Sequence, residues 1–184
     1  MEPLSLSHVD GLWPFADPNI LRMNFSWAVC ESYKQFRGII QRHIEGADRD
    51  AYAMVLTETG QPVGSSSYLD IRPEHKAVEI GSTWIAASHQ RTFVNPESKY
   101  LMLKHAFETL GCVRVQFKTD ERNVQSRAAM VKLGCKWEGV LRKHIICPDG
   151  YIRNTVYYSI LADEWPEVRD SLVDRLGYDP GSHN

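Results

Sequence analysis

Apolar residues at Tyr33, Phe36, Ile40 and Ile44 recur every three or four positions between Glu31 and Ile44, which predicts an amphipathic helix. Ala51 to Thr57 is a short, mostly apolar run and reads as a buried strand. Thr59-Gly60-Gln61-Pro62 turns the chain, Val63 to Ile71 reads as a second strand, and Arg72-Pro73-Glu74-His75 is another turn. The two strands are expected to pair as an antiparallel hairpin, with a third strand from Ala77 to Ala86. Ahead of them, Trp13-Pro14-Phe15-Ala16-Asp17-Pro18-Asn19 reads as an internal loop.

Asn95-Pro96-Glu97 combines an N-cap, a proline at the first helical position and an acid in the first turn. The helix it opens places Tyr100, Leu103, Phe107 and Leu110 on one face, and Gly111 ends it. Cys112 to Lys118 alternates Val113, Val115 and Phe117 as a strand. Asn123 caps the next helix, which stops at Gly134. Trp137 to Ile146 and Tyr151 to Leu161 flank Asp149-Gly150, a hairpin signal. Asp163 is read as the cap of a last helix with Trp165, Val168, Leu172 and Leu176 buried and Gly177 at its end. The order is helix, three strands, helix, strand, helix, hairpin, helix. It predicts an α/β (α+β) fold: a mixed, mostly antiparallel sheet with a central β-α-β unit and flanking helices, in one domain over residues 1–184.

Composition narrows the function classes. With 43 % hydrophobic and 24 % charged residues the chain reads as globular. A net charge of −2 argues against a general nucleic-acid binder. There is no run of about 18 apolar residues and no basic-apolar leader, so the expectation is a cytoplasmic protein without membrane partners. Cys30, Cys112, Cys135 and Cys147 lack metal or redox spacing, and the seven histidines show no H-E-x-x-H pattern, so no metal is expected.

Glu79-Ile80-Gly81-Ser82-Thr83-Trp84-Ile85-Ala86, Asn95 to Lys99, Lys118 to Ser126, Lys132 to Arg142 and Asp149-Gly150 followed by Tyr157 to Ile160 stand in an order that resembles the GNAT acetyltransferase superfamily. The chain is most similar to its ribosomal-protein N-terminal (alanine/serine) acetyltransferase-like branch. The resemblance implies acetyl-CoA as co-substrate, an amine acceptor that is a small molecule or a peptide, and a monomer or homodimer. It also implies a short first strand, because the chain starts late relative to the family pattern.

The resemblance assigns the sites. The family's phosphate turn falls on Gln90-Arg91-Thr92-Phe93-Val94-Asn95, where a helix N-terminus offers free N–H groups and partial positive charge to a pyrophosphate. Phe93 and Asn95 replace two small residues there; Arg91, and Lys99 one turn on, would add charge. Backbone groups of Trp84, Ile85 and Ala86 would pair with the pantetheine arm, although Trp84 is equally a core residue. Asn123 would contact pantetheine as well as cap its helix, and Ser126 would protonate the leaving thiolate. An amine must lose its proton before it attacks a thioester. Ile145 occupies the slot of the branch's glutamate, leaving Glu79, His144 and Glu138 as candidate bases beside water-mediated deprotonation. Strand alternation is expected to turn His144 to the face opposite Ile145. Tyr158 would line the acceptor pocket or pack in the core. A non-catalytic CoA-binding module is the alternative, and a purely structural domain the third.

Overall fold

A computed structural model of the chain describes residues 1–18, 21 and 30–180; Asn19, the end of the expected loop, lies outside them. The chain forms two compact units, Met1–Ile71 with Ile80–Asn95 and Arg72–Glu79 with Pro96–Asn184.

In the first unit, strand β1 (Glu2–Pro3) is two residues long and pairs antiparallel with β2 (Arg49–Val55). The short first strand is thus as expected. Helix α1 (Tyr33–Glu45) starts where Ser32 Oγ accepts from the Gln35 amide, 3.3 Å away. Its buried face is Phe36, Ile39, Ile40 and His43, while Tyr33 and Ile44 are exposed. The expected stripe was therefore half right: the face is set by the i, i+3, i+4, i+7 series from Phe36. Full burial of Phe36 and Ile40 contributes about 2–3 kcal/mol each. β2 pairs antiparallel with β3 (Pro62–Arg72) from Arg49↔Leu69 to Val55↔Pro62. The next strand is β4 (Ala77–Ile85). The core gathers Leu4, Val9, Leu12, Phe36, Ile40, Ala53 and Trp84, with the indole of Trp84 edge-on to Phe36 at 6.2 Å.

In the second unit, the first three residues of β4 pair parallel with β5 (Arg114–Asp120), as Ala77↔Arg114, Val78↔Val115 and Glu79↔Gln116. The crossover between them is helix α2 (Val94–Lys104), continued by one wider turn at His105–Thr109. In that turn the Leu110 amide donates to His105 O, five residues back. The extra residue per turn rotates the face, so Tyr100, Leu103 and Ala106 are buried and Leu110 is exposed, against the regular helical expectation. The expected Asn95 cap is also corrected. Val94 is already helical and its amide donates to Thr92 Oγ1 at 3.3 Å. Pro96 then lies in the first turn, where no N–H is needed.

Helix α3 (Val124–Leu133) is capped as expected: Asn123 Oδ1 accepts from the Ser126 amide at 2.9 Å, and Gly134 closes it at φ +95°. Strands β6 (Lys136–Ile146) and β7 (Ile152–Leu161) form the predicted hairpin, and β7 also pairs with β5. Helix α4 (Trp165–Leu176) buries Trp165, Val168 and Leu172. Trp165 stacks on Phe107 at 5.6 Å and donates from Nε1 to Glu108 Oε1 at 2.9 Å. Asp163 is not its cap: Glu164 holds that position, and its carboxylate instead accepts from the Leu161 amide at 2.9 Å. Strand pairing runs β1-β2-β3-β4-β5-β7-β6, a seven-stranded, mostly antiparallel mixed sheet with flanking helices.

Candidate functional site

In the first unit the chain leaves β4 through a tight loop to α2. The Ala86 amide donates to Val63 O (2.8 Å) and its carbonyl accepts from the His89 amide (2.9 Å). Ile85 O accepts from Gln90 Nε2 at 3.2 Å. Both backbone groups of Ala86 are thus engaged within the unit, which weakens its expected part in strand-like pairing with pantetheine. The Trp84 side chain belongs to the core, so only its backbone can serve a ligand. Arg91 takes a left-handed conformation, φ +62°. Thr92 Oγ1 donates to His89 O at 2.7 Å while accepting from the Val94 amide, so the Val94 N–H, expected to face a phosphate, is already used. The amides of Arg91, Thr92 and Phe93 make no hydrogen bond among the described residues. Phe93 is half exposed. Three consecutive N–H groups beside a guanidinium make a fit for a pyrophosphate. Lys99 does not join them: it is buried, and loss of solvent pulls its pKa from 10.5 down to about 7, with Cys135 nearby opposing the shift.

In the second unit the pairing register sorts β5 and β7 into two faces. Val115, Phe117, Val156, Tyr158 and Ile160 make the apolar one, all buried. Tyr158 packs there, its hydroxyl accepting from Arg127 Nε at 3.4 Å. Gln116, Lys118, Arg153, Tyr157 and Ser159 make the other, with Glu79 of β4 beside Gln116. Several of these polar residues are buried: Glu79, Gln116, Arg153 and Ser159. Glu79 is 1 % exposed, and its Oε2 meets Lys118 Nζ at 3.0 Å and Gln116 Nε2 at 3.2 Å. Arg72 Nη2 reaches Gln116 Oε1 at 3.5 Å. Glu138 bonds to Arg114 at 2.6 Å and to the Ser159 hydroxyl. Those two bonds hold its pKa below the ordinary carboxylate value, as suits a structural anion rather than a proton acceptor.

His144 is where strand alternation misleads. The β6–β7 register passes from Leu141↔Thr155 to Ile145↔Arg153, leaving residues 142–144 opposite Asn154 alone. Lys143 has φ +50°, and its amide is fastened by Asn154 Oδ1 at 2.8 Å. The bulge interrupts the alternation within residues 142–144, while Leu141 and Ile145 on either side of it keep the same parity. The imidazole lies 6.0 Å from the Tyr157 ring, within the field of Lys118, Arg153 and Glu79. Burial first, then the two cations, lower its pKa below 6.5, which favours the neutral, proton-accepting form. His144 and Glu79 therefore share one cluster. Sequence reasoning missed Gln116, Lys118, Arg72, Arg153 and Tyr157. The polar half of the β5 alternation (Arg114, Gln116, Lys118, Asp120) was the signal that could have found them.

Asn123 and Ser126 stand together at the start of α3. The Ser126 hydroxyl is half-buried and makes no hydrogen bond among the described residues, which leaves a donor available. No group of three or more His, Cys, Asp or Glu among the described residues could hold a metal ion, and no described helix is long and apolar enough to cross a membrane.

Residues 1–136 match the family described as the Acetyltransferase (GNAT) domain. Among solved structures, a T. thermophilus protein assigned as an acetyltransferase is 36 % identical, with 95 % of this chain and 92 % of that chain covered and a TM-score of 0.89. A GNAT-family protein of Chromobacterium violaceum ATCC 12472 is 28 % identical over 89 % of this chain and 83 % of its own, with a TM-score of 0.82. A spermidine N-acetyltransferase variant from Vibrio cholerae shares the fold at a TM-score of 0.68 and 16 % identity, over 89 % and 94 % of the two chains. No curated protein is matched by the chain. With the mixed sheet, the β4-α2-β5 crossover and a family match over most of its length, the chain belongs to the GNAT acetyltransferase family and is an N-acetyltransferase.

Proposed function

We propose that this cytoplasmic, single-domain enzyme, a monomer or homodimer, transfers the acetyl group of acetyl-CoA to a primary α-amine, the N-terminus of a peptide as in the ribosomal-protein branch. The backbone amides of Arg91, Thr92 and Phe93 with the Arg91 guanidinium would hold the pyrophosphate. Asn123 would hold the pantetheine arm. When bound, the co-substrate supplies an activated acyl group as a thioester. His144 takes the proton that the attacking amine loses, and the Ser126 hydroxyl donates to the departing thiolate. Glu79, with Lys118 and Gln116 already on its carboxylate, acts by fixing Lys118 rather than as the base.

The observation that carries this reading is the imidazole of His144 against Tyr157 beside the Glu79–Lys118 pair. The kcat/KM of wild type against pH is expected to rise through a limb below pH 6.5, and His144→Gln to lose that limb with a drop of about a hundredfold. Full activity with an unchanged profile in the variant removes His144 from the mechanism. Cofactor binding without thiol release across a broad amine panel would support a non-catalytic module instead.

A further inference from the structure

Thr155 is fully buried, yet its hydroxyl makes no hydrogen bond among the described residues. A hydroxyl in that position is uncommon, because it gives up water and gains no partner in return. Pairing places it opposite Asp120 of β5 and Leu141 of β6, on the polar face between Arg153 and Tyr157. Asp120 does not take the hydroxyl: its carboxylate accepts from the Arg122 amide at 2.8 Å and from Arg122 Nη2 at 3.3 Å.

His144 leaves the strand from the bulge between Leu141↔Thr155 and Ile145↔Arg153, and its ring reaches to 6.0 Å from that of Tyr157. On this face of β7, Thr155 stands between the bulge and Tyr157. The imidazole is exposed, and its nitrogens make no hydrogen bond among the described residues. Around it are Lys118 of β5, Arg153 and Tyr157 of β7 and Glu79 of β4. Lys118 and Arg153 are donors and cannot accept an imidazole N–H. Glu79 already accepts from Lys118 and Gln116, and Tyr157 presents its ring. A histidine base works best when one ring N–H is held, so that the lone pair of the other nitrogen points at the substrate.

Resting on the reading of His144 as the base, we propose that Thr155 is its positioning residue: the hydroxyl oxygen accepts from the inward ring N–H and leaves the outward nitrogen's lone pair to the acceptor amine. The two groups are not bonded in the free chain, and contacts of this kind tighten in the loaded complex. When the amine gives its proton to the outward nitrogen, the ring becomes imidazolium and the inward bond becomes charge-assisted. No proton passes to Thr155.

The test compares wild type with Thr155→Val, which keeps the shape and removes the hydroxyl, and Thr155→Ser, which keeps the hydroxyl. Thr155→Val is expected to lower kcat about tenfold at an unchanged KM for acetyl-CoA, and to move the rising limb of kcat/KM about half a pH unit lower, because the imidazolium loses a bond. Thr155→Ser is expected to stay within about twofold of wild type. Because valine replaces a hydroxyl without a partner, Thr155→Val is expected to melt no lower than wild type. An NMR titration of the His144 ring, with CoA present and no acceptor, needs no turnover and is expected to show the same fall in Thr155→Val. A wild-type titration in that variant overturns the proposal. So does a lower melt with lost activity that serine does not restore, which assigns Thr155 to packing. Full activity in His144→Gln overturns the base reading beneath it, whatever the titration shows, so the two failures are told apart.

Discussion

Gly64→Ala tests how β3 sets the end of β4. A Cβ at residue 64 would lie 2.5 Å from Trp84 O and 3.1 Å from Ile85 Cα, both backbone atoms that cannot rotate away. Ordinary contact starts near 3.4 Å, so the strands have to part by about 0.9 Å. Overpacking of this kind costs about 1–3 kcal/mol, and at this chain length each kcal/mol lowers Tm by roughly 2–4 °C. A fall of about 2–12 °C follows. The same displacement moves the backbone of Trp84 and Ile85, so acetyl-CoA affinity is expected to weaken in protein that is still folded. Gly60→Ala is the control. It meets no atom within 4 Å, and only its φ of +69° is penalised, at about 1 kcal/mol. Thermal melts with and without acetyl-CoA, and a calorimetric titration well below Tm, measure both effects. A Gly64→Ala melt no lower than that of Gly60→Ala refutes the packing argument. A lower melt with unchanged affinity refutes the link between this strand end and the cofactor.

Two further outcomes follow. Asn123→Ala is expected to lose about 1 kcal/mol of stability with its cap and to weaken acetyl-CoA binding by more than a partial loss of folded protein explains; an unchanged Kd in the folded variant would leave Asn123 a cap and nothing more. Lys99 has a folded pKa of about 7 against 10.5 when exposed, so between these values the unfolded chain binds the extra proton and stability rises with pH. Cys135 runs the other way above pH 9, its thiol pushed up to about 12 by burial, so the rise is read between pH 7 and 9 by urea unfolding. Lys99→Met should flatten that slope, and an equal slope in both proteins contradicts the buried-lysine account.

Features fixed by local chemistry were legible in the sequence. The caps at Asn123, Gly134 and Gly177 and the Asp149-Gly150 hairpin depend on a few neighbouring residues, and each is where it was expected. The β4-α2-β5 crossover followed from the order of elements. Features decided by partners distant in sequence were not legible. Leu110 left the buried face because of one wide turn, and α2 begins at Val94, ahead of Asn95, with the Val94 amide on Thr92 Oγ1. His144 meets Tyr157 from inside a bulge, where alternation does not hold and where Asn154, on the neighbouring strand, fastens Lys143. The buried polar cluster was half visible as the alternation Arg114, Gln116, Lys118, Asp120, but the burial of Glu79 and Arg153 among those residues is a product of strand pairing.

The central claim is acetyl transfer from acetyl-CoA to a peptide α-amine. Purified protein incubated with acetyl-CoA and a short peptide, followed by fragmentation mass spectrometry, tests it most directly. The account predicts one acetyl group on the first residue's nitrogen, stoichiometric release of CoA thiol, and both slowed about a hundredfold in His144→Gln. A peptide that gains no acetyl group while the protein binds acetyl-CoA, or one acetylated only on a lysine side chain, would contradict it.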